Sequence, residues 1–347
     1  MHMADALLSP AAGAAVWAGS LAALGYSSGK LKKNLDGKTI PLMGVLGAFI
    51  FAAQMINFTI PGTGSSGHLG GGMILAIILG PYAGLIVMAS VLTVQALFFA
   101  DGGLLALGCN IWNIGFYPCF IAYPLIYRPI AGNGTNNRLV SLASIISVLI
   151  ALQLGAFSVV LETLLSGKSE LPFRSFVFFM QPIHLAIGIV EGIITAGIIG
   201  YVKKAKPDII ESSYISHPLD REGRLRNILI SFLVLAVVTG GGLSWFASTH
   251  PDGLEWAIKK VTGNRELPEQ QKGITAFLKG IQEKTAILPD YGFKQSGQKE
   301  SMKENASHWP GIETGTSVSG ILGGVIVLGV VLLIGFGIQA FKKHKAG

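Results

Sequence analysis

Charge is scarce in this chain: 13% of its 347 residues are Asp, Glu, Lys or Arg, while 50% are hydrophobic. Mean hydropathy is +0.56. A soluble core of this length does not carry repeated apolar runs of about 20 residues, so the composition excludes a water-soluble protein and predicts a polytopic membrane protein. The formal charge of +7 is then no nucleic-acid footprint, because what matters is where the charges fall along the chain. Cysteine is scarcer still. Cys109 and Cys119 lie ten positions apart in one predicted helix, too far to bridge at about 1.5 Å rise per residue, and read as packing thiols. Catalytic signatures are missing as well. Gly37-Lys38-Thr39 and Gly167-Lys168-Ser169 end like a P-loop, but Lys32 and Glu162 stand where its first glycine is required. Neither His-Glu-x-x-His nor Gly-x-Ser-x-Gly occurs. Zinc-protease and serine-hydrolase chemistry thus lack their signatures, and if this protein pumps with ATP the ATPase must be another subunit.

No Lys or Arg precedes Lys30, so the start lacks the positive region of a secretory signal and is expected to stay on the mature protein. Initiator Met is generally clipped only ahead of a small residue, and His2 is bulky. A free Met1 amine joined directly to His2 is therefore expected. The amine, the next amide nitrogen and the His2 imidazole can close two fused chelate rings around one ion, nearly in a plane. Such a nitrogen set suits Ni(II) or Cu(II) and fits tetrahedral zinc or oxygen-seeking Mg and Ca poorly. The fourth corner can be filled by His68, which ends the stretch Pro61-Gly-Thr-Gly-Ser-Ser-Gly-His68. The amide must lose a proton to bind, so affinity should rise with pH. On local sequence alone, an ordinary terminal histidine and a loop histidine remain the plainer reading, and topology has to bring the two together.

Apolar spans are read near 9–28, 40–60, 69–80, 82–100, 104–127, 138–165, 180–203, 227–247 and 317–341. Nine spans with the N-terminus outside and the C-terminus cytoplasmic put Lys30, Lys32, Lys33, Lys38, Arg128, Arg138 and the basic segment 203–226 inside. The short outer loops keep only Lys168 and Arg174. That asymmetry obeys the positive-inside rule, whereas merging 69–100 into one span would place 203–226 outside. Polar residues fall mostly in the outer halves of the spans: Gln54, Asn57, Gln95, Asn110, Asn113, Gln153, Glu162, Gln181 and His184. Together they predict a polar cup open to the outside. Glu191, two turns after His184, lies deeper and is either a buried partner or part of a moving interface.

The glycines of 62–67 predict a flexible loop that carries His68, and Gly70, Gly71 and Gly72 permit a nearby backbone such as the inserted N-terminus to lie close. Gly44, Ala48 and Ala52 form a small-residue stripe fit to dock another helix, of this chain or of a partner. Segment 248–316 is polar. Asp252 and Glu255 form a helix-start capping pair there, and a second helix is expected from about Glu269 to Lys284.

The residues Met1-His2-Met3-Ala4-Asp5-Ala6-Leu7-Leu8-Ser9-Pro10, Gly67-His68-Leu69-Gly70-Gly71, Leu79-Gly80-Pro81-Tyr82 and Pro182-Ile183-His184…Glu191-Gly192 resemble the CbiM/NikM family. Its members are the substrate-capture (S) components of nickel/cobalt energy-coupling-factor (ECF) transporters. Pro251-Asp252-Gly253-Leu254-Glu255 resembles the small accessory component (CbiN/NikN), here fused to the first. The resemblance implies an all-α membrane bundle with an extra N-terminal helix: seven helices over 1–215, then a two-helix accessory module over 220–347 that flanks 248–316. Carried over residue by residue, it implies Met1, His2 and His68 as ligands of Ni(II), or of Co(II). Asn110, Asn113 and His184 are then expected behind these ligands, and Gly44, Ala48 and Ala52 as the docking face for a transmembrane coupling (T) component that works with two cytoplasmic ATPase subunits. A stand-alone permease driven by an ion gradient, with His184 and Glu191 as proton relay, is the alternative.

Overall fold

The computed structural model describes residues 2–207, 209, 222–268, 273–293 and 314–343. A short helical turn, Asp5–Leu7, leads into α1 (Pro10–Asn34), where the Ser9 hydroxyl accepts the Ala12 N–H and Pro10 occupies the first turn. α2 (Thr39–Gln54) runs into a hairpin of β1 (Phe58–Ile60) and β2 (Ser65–Gly67), paired antiparallel with Phe58 opposite Gly67. The stretch expected to be a flexible loop is thus a strand turn that holds His68 at its exit. Gly62 and Gly64 supply the left-handed backbone of that turn.

Next come α3 (Gly72–Leu79) and, across Gly80, α4 (Pro81–Phe99). With eight residues α3 is about 12 Å long, well short of a hydrocarbon core of about 30 Å, so the run 69–80 does not cross a bilayer by itself. Leu107–Asn110, Ile111–Tyr127 and Arg128–Ala131 run on as α5, which contains Pro118 and Pro124. α6 (Asn137–Leu165) and α7 (Phe173–Ala205) pack along each other. α8 (Glu222–Gly241), α9 (Gly253–Thr262), α10 (Ile274–Thr285) and α11 (Thr314–Lys343) complete the described chain. Among the described residues, α4, α6, α7 and the Thr314–Phe341 part of α11 are long and apolar enough to cross a membrane, and α2 and Leu225–Gly241 are shorter apolar helices. Large apolar side chains such as Ile189 and Ile193 of α7 and Val325 of α11 stay exposed, as lipid-facing positions do.

Two of the small-residue readings take a different form here. A Cβ on Gly44 would stand 2.9 Å from Leu328, and Ala48 lies against Gly324, so α11 of the same chain covers the Gly44/Ala48 stripe; Ala52 is fully buried. The face expected to receive a coupling protein is occupied from within. A Cβ on Gly70, Gly71 or Gly72 would meet Glu191, Ile50 or the Ile114–Pro118 stretch first. The two cysteines are buried free thiols, as expected. So is the capping pair: the Asp252 carboxylate accepts the Leu254 and Glu255 N–H groups while Glu255 accepts the Asp252 N–H. The expected start of the second helix, Glu269, falls outside the described residues; α10 is seen from Ile274.

Candidate metal centre

Met1 lies outside the described residues, so the site is built from residue 2 onward. His2 and Met3 belong to no helix or strand, and other elements must fix them. Asn110 in α5 does so through both backbone groups of one residue: its Oδ1 accepts the Met3 N–H at 2.8 Å and its Nδ2 donates to the Met3 carbonyl at 3.3 Å. Gly103 N–H donates to the same carbonyl at 3.0 Å. Asp5 then accepts the Ala106 N–H at 2.9 Å, and Trp17 and Ser20 of α1 donate to the carbonyls of Leu104 and Gly108. The entry strand is thereby stitched along 103–110. Asn113 stands next to this clamp, donating to Glu162 at 2.9 Å and touching the Met3 sulfur at 3.8 Å.

The clamp lays His2 over His68. Their rings stack with centroids 5.1 Å apart and planes 21° from parallel, although 66 positions separate them. Burial lowers the basicity of both imidazoles, that of His68 down to about 3, so at neutral pH each presents a lone pair rather than a charge. The Nδ1 of His2, the ring nitrogen that can share a chelate ring with its own amide, lies 3.6 Å from Asp101 Oδ1. Its Nε2 is buried with no hydrogen-bond partner. Two neutral imidazoles and a carboxylate are donor types that suit a divalent ion, although these three side chains do not stand close enough together to hold one between them.

Asp101 is a residue that sequence reasoning missed. It sits at the end of α4, and its other oxygen accepts the Tyr291 hydroxyl at 2.5 Å. Gln282 donates to the carbonyls of Ala96 and Gly102, and Ile287 N–H to that of Phe98. Residues 282–291 therefore brace the Asp101 side of the site. The His68 side is braced by 248–256: Ser66 donates through its N–H to the Pro251 carbonyl at 2.8 Å and through its hydroxyl to that of His250, while Trp256 donates to Thr63 and Ser248 N–H to Asn57. Both walls of the centre are held by the C-terminal part of the chain. A vestibule of about 900 Å³ opens between them, lined by His2, Gln54, Asn57, His68, Asp101 and Asp252 among others.

Of the expected polar cup, Gln54 and Asn57 face this vestibule. Others bond between helices instead: Gln95 donates to Gln54 at 2.9 Å, and Gln153 and Gln181 donate to each other's backbone. His184 lies on the far side of His68 and donates from Nδ1 to the Met180 carbonyl at 2.8 Å.

The apolar helices fit a membrane-embedded protein, and the family to which the chain belongs is one of metal transport. The chain belongs to the CbiM family: the profile described as cobalt uptake substrate-specific transmembrane region matches residues 2–209, and a PDGLE domain profile matches 226–340. It is 33% identical over 348 residues to a protein of Archaeoglobus fulgidus named "Putative fused nickel transport protein NikMN", covering 99% of each chain. It is 32% identical to the fused nickel transport protein NikMN of Rhodobacter capsulatus, over 60% of this chain and 64% of that one. Against the cobalt transport protein CbiM of Sorangium cellulosum, identity is 26%, over 61% of this chain and 95% of that one. Among solved structures, a truncated transition metal transporter superposes with a TM-score of 0.51 at 32% identity, covering 59% of this chain and 99% of its own. A second transition metal transporter gives 0.52 at 31% identity, over 62% and 98%.

Proposed function

We propose that this chain is the substrate-capture component of an ECF-type importer, taking Ni(II), and less readily Co(II), from outside the cell for uptake driven by partner ATPases. The observation that carries this reading is the stacked, buried His2–His68 pair held beside Asp101. Added to the Met1 amine and the His2 amide, these imidazoles make a planar four-nitrogen set, which favours nickel. In this reading residues 1–215 form the capture bundle and 220–347 the accessory module. With α3 entering the membrane and α4 returning from it about Gly80, rather than each crossing alone, the N-terminus and 248–316 lie outside and the C-terminus in the cytoplasm. A transmembrane coupling component and two ATPase subunits complete the transporter, since no nucleotide-binding signature occurs here.

The test uses purified full chain with its native terminus. One residue added before Met1, or His2→Ala, is expected to abolish high-affinity nickel binding, and X-ray absorption of the native protein should report planar nitrogen coordination. Unchanged nickel affinity in the extended protein refutes the reading. Uptake into liposomes by the chain alone, powered by a proton gradient, refutes the dependence on ATPases.

A further inference from the structure

Adjoining His68 on the side away from the vestibule is a cavity of about 30 Å³, lined by Asn113, His184, Glu191 and Asp252 among others. That is room for a single water or a single desolvated ion. His184 is 1% exposed, and because Nδ1–H is spent on the Met180 carbonyl, Nε2 is left with its lone pair bare and no hydrogen-bond partner. A Cβ on Gly253 would stand 3.2 Å from that nitrogen, so the ring abuts the start of α9, where Asp252 is the cap. Glu191 is 3% exposed; its Oε1 accepts the Gly71 N–H at 2.9 Å while Oε2 has no partner. Leaving two such atoms buried and unsatisfied costs free energy, which a protein retains where a water, an ion or a function answers it.

A bare imidazole nitrogen and two carboxylates are donors for a divalent cation. Two of them come from the bundle helix α7 and one from the C-terminal part of the chain. We propose that this cavity is a second, transient station for the transported divalent cation, occupied through His184, Glu191 and Asp252 once the ion leaves the His2/His68 nitrogens. The inference rests on the uptake role proposed above. Among the described residues, no three His, Cys, Asp or Glu side chains already stand close enough to hold an ion. The ligands must therefore close on their guest, which weakens binding, and a site on a path has to let its ion go.

The test is equilibrium dialysis of the purified full chain with Co(II), read together with the visible absorption of the bound cobalt. Two classes are expected, one tight and one weaker by about tenfold or more. Glu191→Gln keeps the acceptor for Gly71 N–H and should remove the weaker class alone; His184→Gln and Asp252→Asn should remove the same class, so one variant that fails to fold does not stall the test. A single class in the wild type, or a weaker class that survives Glu191→Gln, overturns the proposal. The N-terminally extended chain separates the two readings. There the tight class should vanish and the weaker one persist; a tight class that persists sinks the proposed function, and loss of both classes sinks the second station.

Discussion

Asn110→Ala tests the clamp that places His2. Met3 is fully buried, its N–H donates to Asn110 Oδ1 at 2.8 Å, and among the described residues that amide has no second acceptor. Its carbonyl keeps Gly103 N–H when Asn110 Nδ2 is removed. The substitution therefore costs one short bond and strands one buried donor, worth about 2 kcal/mol. That energy falls on the docking of residues 2–3, which are held by no helix of their own. Since each 1.4 kcal/mol is about tenfold, nickel affinity should drop roughly 30-fold. Competition against a chelator of known strength measures the drop, and amide exchange at the N-terminal strand should speed up. Affinity within about twofold of wild type would show that the clamp does not position the histidine and that the geometry argument is wrong. A loss accompanied by melting of the whole bundle would refute it too, because the effect would then not be local.

Asp101→Asn removes the charge beside His2 Nδ1 and should weaken nickel binding by about tenfold, with Tyr291→Phe acting in the same direction but less; isothermal titration decides. Gly103→Ala sets a methyl group against the Asp5 backbone nitrogen and carboxylate, which must displace the entry strand. It should reduce nickel affinity by about tenfold or more, while Gly200→Ala, into open space, should leave it unchanged. Stability of the metal-free protein should depend on His68. Unfolded, this imidazole takes its proton near 6.5; folded, burial delays protonation to about 3, so the unfolded state binds more protons in between. Thermal stability should accordingly fall as pH is lowered through that window, and His68→Gln should flatten the slope.

The membrane class, the inert cysteines and the capping pair Asp252/Glu255 were all legible in the sequence, because each depends on composition or on residues within a turn of one another. The His2–His68 pairing was legible only through chelate chemistry, topology and family resemblance, never through spacing. Other features were not legible at all. Nothing local marks Asp101 as a neighbour of His2, or Asn110 as a two-sided clamp on a residue 107 positions away. Nor does any pattern say that α11 will fill the Gly44/Ala48 stripe before a partner can, since a small-residue face accepts any helix of the right shape. Periodicity and capping are set by neighbours along the chain. Which distant segments brace the two walls of the candidate metal centre is set by packing of the whole bundle, and there the C-terminal part holds the His68 hairpin through 248–256 and the Asp101 loop through 282–291.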